Sequence, residues 1–168
     1  RQATIKKWLK EYIDTYFYGT EGKPARFLYL YDKLEVHLID ILDRLCKEFE
    51  LTDFEPCDFE LPLTNDRTKG GLKPYHIDLG DGNGSIDIRG SVDRVDKFVK
   101  DGTTYIRVID YKSGGKDFKL SEILYGINMQ MLIYLFAIEN NGKEYYNSNI
   151  ESAGILYYPA QRATIPAD

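Results

Sequence analysis

A mixed α/β fold, with a central β-sheet built on an antiparallel hairpin and flanked by helices, is predicted by three features of this chain. Two long stretches near the start carry apolar residues at helical spacing. Short alternating segments bounded by glycine, proline and asparagine follow, centred on Gly90 to Lys112. A third helical stretch then leads into one last apolar strand, an order that lets a helix cross over a sheet and set down a parallel strand. With 168 residues the chain fits a single domain, large enough for a core without disulfides or a structural metal, in which 1–50 form a helical N-terminal part and 55–158 the core.

The first helix is predicted from Thr4 to about Tyr18, with Ile5, Trp8, Leu9, Tyr12, Ile13 and Tyr16 at helical spacing, and Gly19 to Pro24 breaks it. The second runs from about Ala25 to Glu50, and Leu28, Tyr31, Leu34, Leu38, Ile41, Leu42 and Leu45 are its expected buried stripe. Cys57 to Leu63 and Tyr75 to Leu79 alternate as strands, joined by the polar connection Thr64 to Lys73. Gly80 to Gly84 is turn chemistry; a phosphate loop is disfavoured because no Gly-Lys-Ser/Thr follows and a strand comes next. Ser85 to Lys100 and Thr103 to Lys112 make the central hairpin, ended by Ser113-Gly114-Gly115. A helix from Ser121 to about Glu139 follows, with Leu124, Ile127, Met131, Leu135 and Ile138 as its apolar stripe. Gly126, Gln130 and Tyr134 recur every four residues beside that stripe. Asn140 to Asn149 reads as a polar loop, and Ala153 to Tyr158 as a last strand stopped by Pro159.

The hairpin turns at Asp101-Gly102, a dipeptide suited to a two-residue turn that needs positive φ at both positions. On that register Lys100 pairs with Thr103, Phe98 with Tyr105, Asp96 with Arg107 and Arg94 with Ile109, and Asp93 comes opposite Asp110. Lys112 shares their face through the period of two, as do Val95, Ile106 and Val108. Two carboxylates facing each other at the end of an apolar stripe repel unless a cation lies between them. The cation could be Lys112, in a salt-linked sheet surface, or a metal ion. Asp96 is expected to be a structural ion-pair partner of Arg107. Glu35 and His37 lie near the edges of the second helix's stripe and could lend a metal ligand, though a solvated or capped side chain is the simpler reading of each. Glu60 could look toward the hairpin acids from a neighbouring strand, and His76 reads as a strand-edge residue.

The net charge of −5 means that binding a polyanion would require a local basic patch, a divalent metal or a further part of the protein. Cys46 and Cys57 have neither zinc-site spacing nor zinc-site companions and read as reduced thiols. No apolar run approaches a membrane span, so no membrane partner is expected. The chain begins at Arg1 and ends at Ile-Pro-Ala-Asp, as expected of a piece of a longer protein.

Gly90-x-x-Asp93, Asp110-Tyr-Lys112-Ser and Gln130-x-x-x-Tyr134, in that order, resemble the PD-(D/E)XK nuclease superfamily in its RecB-like branch, and within it the nuclease domains of AddB-type helicase-nuclease subunits. Phe54-Glu-Pro-x-x-Phe-Glu60, Gly90-Ser-Val-Asp-Arg-Val-Asp96 and Arg107 to Gly114 sit where those domains have similar segments. The resemblance implies a restriction-endonuclease-like core with Asp93 and Asp110 as metal ligands, Lys112 as the catalytic lysine, and Gln130 and Tyr134 supporting the DNA strand or the active site. It further implies Mg2+, with Mn2+ as the alternative, and a single-stranded DNA end as substrate. The expected partner is a helicase subunit or a helicase domain of the parent protein. Exonuclease action in double-strand-break repair, in the bacterial cytoplasm, completes the expectation. Two departures stand out. The branch takes a His or Glu from an early helix, which Glu35 and His37 match poorly, and AddB-type domains carry four cysteines around an iron–sulfur cluster, which Cys46 and Cys57 do not support. The competing readings are a non-catalytic DNA-binding or scaffolding module of the same fold, and a structural domain with a charged hairpin.

Overall fold

The computed structural model describes residues 2–66, 68, 70–112, 120–126 and 128–160. It divides into two compact units, one holding the N-terminal helices as far as Thr52 and the other running from Asp53 to Pro159. The predicted strand end at Ser113 to Gly115, Ile127 and the side chain of Leu124 lie outside the described residues.

The helical unit pairs α1 (Gln2–Phe17) with α2 (Ala25–Glu50). α1 buries Ile5, Leu9 and Ile13 as its spacing predicts. The expected α2 stripe is not buried to the same degree: no α2 residue is fully enclosed, and Leu28 and Leu34 are exposed. Within this unit a 16-residue helix faces a 26-residue one, so α1 cannot cover the whole stripe. Lys6 reaches Glu35 across the pair at 2.9 Å.

In the second unit β1 (Glu55–Leu63), β4 (Gly90–Lys100), β5 (Thr103–Lys112) and β6 (Asn149–Pro159) form a sheet in the order β1-β4-β5-β6. β1, β4 and β5 are antiparallel neighbours, whereas β6 runs parallel to β5, the expected crossover. The β4–β5 register is the one set by the Asp101-Gly102 turn, from Lys100↔Thr103 to Arg94↔Ile109. Both turn residues have positive φ, +51° at Asp101 and +76° at Gly102. β2 (Tyr75–Asp78) and β3 (Ser85–Ile88) make a separate two-stranded sheet around the Gly80 to Gly84 turn.

Val95, Ile106 and Val108 are wholly buried, together with Leu61, Leu63 and Val92, against Met131, Leu135, Ala137 and Ile138 of a long helix. That helix, α4 (Gln130–Tyr145), corrects two expectations. A single helix from Ser121 to Glu139 does not form: a short α3 (Leu120–Leu124) is separated from α4 by a break where Gly126 and Asn128 take φ of +74° and +59°. Gly126 therefore shares no helix face with Gln130 and Tyr134. The Asn128 amide donates to Glu122 across the break. The expected Asn140 loop is instead helix as far as Tyr145, because tertiary hydrogen bonds overrule weak helix formers. Asn141 donates to the carbonyls of Lys73 and Pro74 at 3.2 and 3.1 Å, and Tyr145 and Tyr146 both donate to Asp58, at 2.7 and 2.8 Å.

Burial, then the hydrogen bond to Asp58, pushes the Tyr146 phenol far above its ordinary pKa, and the same causes raise Tyr145 to about 12. The protonated phenols are thus favoured in the folded state. Stability should hold up to the ordinary tyrosine value of 10.0 and fall as pH rises beyond it, because the unfolded chain gives up these protons first. Tyr146→Phe is expected to lower stability by about 1 kcal/mol at neutral pH through the lost hydrogen bond. It should also flatten part of the alkaline fall, as read from urea midpoints at about pH 8 and about pH 11.

Candidate active site

The site begins with a fault in the strand pattern. Val92 and Val95 both enter the core although they are three residues apart, and Phe59 is 66% exposed while Leu61, two residues on, is buried. The period of two therefore breaks on β1 and β4 at the same level, between the pairs Phe59↔Arg94 and Leu61↔Val92. The intervening residues are Glu60, whose φ is +49°, and Asp93. Ser91 donates to Glu60 at 3.3 Å.

Asp93 lies just past the last β4–β5 ladder pair, so its opposition to Asp110 is not that of a regular pair. Its Oδ2 instead accepts the backbone N–H of Tyr111, one residue farther along β5, at 3.0 Å. Asp110 is buried, and its Oδ2 is sealed from solvent. The Lys112 ammonium lies 2.5 Å from that oxygen as an ion pair. The sheet thus brings Asp93, Asp110 and Lys112 to one end of the hairpin. Contact with Asp110 holds the Lys112 pKa above the ordinary lysine value, against the opposing effect of burial, and Asp93 adds to the rise. Lys112 also lies 5.8 Å from the centre of the Tyr157 ring, and Tyr157 is Asp110's neighbour on β6.

Gln130 and Tyr134 stand one turn apart at the start of α4, and the Gln130 amide donates to the Tyr134 hydroxyl at 2.9 Å. Tyr134 is buried and lies against Gly90 of β4. A Cβ at position 90 would lie 2.3 Å from the hydroxyl oxygen, 2.9 Å from Cζ and 3.0 Å from Cε1. The glycine and the tyrosine of two separate motifs are therefore one packing contact.

Glu35 and His37 lie on α2 in the helical unit, where Glu35 is engaged by Lys6 and His37 is exposed. His76 pairs with Asp87 at 2.8 Å across the small hairpin. Asp96 is wholly buried and bound by Arg107, as the register predicts, and also by Arg94. Sequence reasoning did not single out Arg94 or Tyr111 as parts of the site. Both flank its acids in the chain, but alternation turns them to the opposite face, and only a buried arginine so near two carboxylates hints at a role.

Two carboxylates suit a hard divalent cation, and the buried Asp110 carboxylate already draws one cation, the Lys112 ammonium, to its sealed oxygen. Among the described residues no three His, Cys, Asp or Glu gather into a metal cluster. Two carboxylates fit an ion that keeps several waters, as Mg2+ does. Among the same residues no helix is long and apolar enough to cross a membrane.

A sequence model of the PD-(D/E)XK nuclease superfamily matches residues 1–167. Among curated proteins the chain is similar to an ATP-dependent helicase/deoxyribonuclease subunit from Clostridium acetobutylicum, 35% identical over 150 residues, covering 87% of this chain and 13% of that protein. The protein of the same name from Clostridioides difficile is 36% identical over 136 residues, covering 81% and 11%. That of Acetivibrio thermocellus is 31% identical over 154 residues, covering 89% and 13%. The chain thus spans 11–13% of the length of these relatives.

Gly90→Ala is expected to destabilise the chain by roughly 1–3 kcal/mol through overpacking against Tyr134. Adding Tyr134→Phe removes the nearest atom and should restore part of the loss, a coupling that a double-mutant cycle in urea would measure.

Proposed function

This chain belongs to the PD-(D/E)XK nuclease superfamily, and we propose that it is a divalent-metal-dependent deoxyribonuclease domain in which Asp93 and Asp110 hold the metal and Lys112 is the catalytic lysine. The observation that supports this reading best is the buried Asp110 carboxylate, its sealed oxygen paired with the Lys112 ammonium, at the hairpin end it shares with Asp93. Residues 55–158 would be the nuclease core and 1–50 its N-terminal part. From the names of the relatives, the domain would work within an ATP-dependent helicase-nuclease in the bacterial cytoplasm. It would trim single strands from an end as an exonuclease in double-strand-break repair.

Hydrolysis of a phosphodiester needs charge neutralised on the phosphate, a water held in line and help for the departing alkoxide. A bound Mg2+ would supply neutralisation and acidify a water, with Mn2+ as the alternative ion. Asp93 presents its carboxylate from β4 with one oxygen fixed by the Tyr111 N–H, and Asp110 presents its own from β5. From beside Asp110, the Lys112 ammonium would position the attacking water or donate to a phosphate oxygen and stabilise developing negative charge. Gln130 and Tyr134 would support the DNA strand or the active site from the start of α4.

End-labelled single-stranded DNA should be degraded by the chain with Mg2+ or Mn2+ and not with chelator. Asp110→Ala and Lys112→Ala should each slow cleavage by about 10²-fold or more. Cleavage that survives chelation would refute the reading.

A further inference from the structure

Tyr111 stands between Asp110 and Lys112 and is held at both ends. Its backbone N–H donates to Asp93 Oδ2 at 3.0 Å, and its phenol oxygen accepts from Arg94 Nη1 at 3.0 Å. Asp93 and Arg94 are successive residues of β4, so two neighbours on one strand grip the main chain and the side chain of a single residue on the next. The Tyr158 ring also meets Tyr111 edge-on, with centroids 5.6 Å apart.

Arg94 is itself fixed from behind. It is 1% exposed, and its Nε and Nη2 donate to Asp96 Oδ1 and Oδ2 at 2.6 and 2.7 Å. Arg107 of β5 donates to Asp96 Oδ2 through Nε and Nη2 at 2.9 and 2.7 Å. A planar guanidinium whose fork is set on a carboxylate has its remaining nitrogen aimed in one direction, here at the Tyr111 hydroxyl. A lysine could not hold both partners in that geometry.

We propose that Arg94 and Tyr111 are positioning residues, which fix the spacing of the Asp93 and Asp110 carboxylates from the reverse face of the sheet and so set the affinity of the site for a divalent cation. This rests on the reading that those two carboxylates hold a metal. Like charges brought together push apart when no cation lies between them. Asp93 could relieve that repulsion by releasing the Tyr111 N–H, or β5 could do so by rotating at its end. The Arg94 contact opposes the rotation, because turning Asp110 and Lys112 on one face must turn Tyr111 on the other. Stability alone is a poor reason for the cluster, since buried ion pairs are commonly replaced by apolar groups without loss.

The test uses the 168-residue chain with Tyr111→Phe, Arg94→Lys and the double variant. Mn2+ affinity is read by calorimetry, and amide hydrogen exchange is read at residue 111 and at the core residues Val95 and Val108. Tyr111→Phe should weaken Mn2+ binding roughly tenfold, as loss of an outer support of a metal ligand does. It should also speed exchange at residue 111 while leaving the two core amides unchanged. The double variant should bind Mn2+ no worse than the weaker single one, because both remove one contact. Loss of core protection in Arg94→Lys would mark a folding defect, and Tyr111→Phe, which deletes one oxygen, then decides alone. A wild-type chain that binds Mn2+ beside a Tyr111→Phe chain of equal affinity overturns the inference and leaves the metal site standing. A wild-type chain that binds no Mn2+ removes the metal-site reading, and the inference with it.

Discussion

Everything near the hairpin end depends on one carboxylate with no exposed surface. Asp96 is tolerable there because two guanidiniums, one from its own strand and one from the next, supply N–H donors to both of its oxygens. Removing one partner of such a cluster leaves a buried charge short of compensation, at a cost of roughly 3–5 kcal/mol. The β4–β5 pairing is thereby pinned by charge as well as by its ladder. Phe54 extends the fixed region, since its ring lies 4.8 Å from the Arg107 guanidinium and 5.7 Å from the Phe98 ring. On the opposite face the same strands carry Val95, Ile106 and Val108 into the core. A hairpin held on both faces can present two like charges, Asp93 and Asp110, at its end without fraying.

The hairpin was legible in the sequence because a single dipeptide fixes it. Once Asp101-Gly102 is read as the turn, the period of two dictates every pair as far as Arg94↔Ile109, and the structure has those pairs. The Asp96–Arg107 pairing followed from the same counting, and the parallel last strand from the order of elements, a helix between two strands. Counting failed where a strand stops being regular. Glu60 and Asp93 sit where β1 and β4 both change faces, and neither is itself a glycine or proline that would announce it. The link between Asp93 and the Tyr111 main chain depends on that irregularity, so it could not be read from spacing.

Helix boundaries failed for another reason. The break between α3 and α4 does hold a glycine and an asparagine with positive φ, but the apolar spacing carried across it, and spacing was the stronger sequence signal. At the far end two asparagines and a glycine read as a loop. In the fold Asn141 holds main-chain carbonyls of a distant segment and the next turn places two tyrosines on Asp58. Those partners are 67 to 88 residues away in the chain, and no local window contains them. The α2 stripe was overestimated because periodicity says which face is apolar and not how much partner surface exists to cover it.

Charge at the site links its parts in one further way. The chain is acidic overall, and Asp93, Asp110 and Lys112 together carry two negative charges and one positive. Without another cation these three groups repel a phosphate, and the Lys112 ammonium is already engaged by Asp110. In the proposed reading a divalent ion changes both conditions together. It reverses the sign of the local charge, and by sharing the Asp110 carboxylate it weakens the hold on Lys112, freeing the ammonium for the substrate. Metal and DNA then favour each other's binding at this site by linkage, with no change of fold required. An acidic domain can therefore serve a polyanionic substrate, provided the carboxylates are kept at a distance that admits the ion.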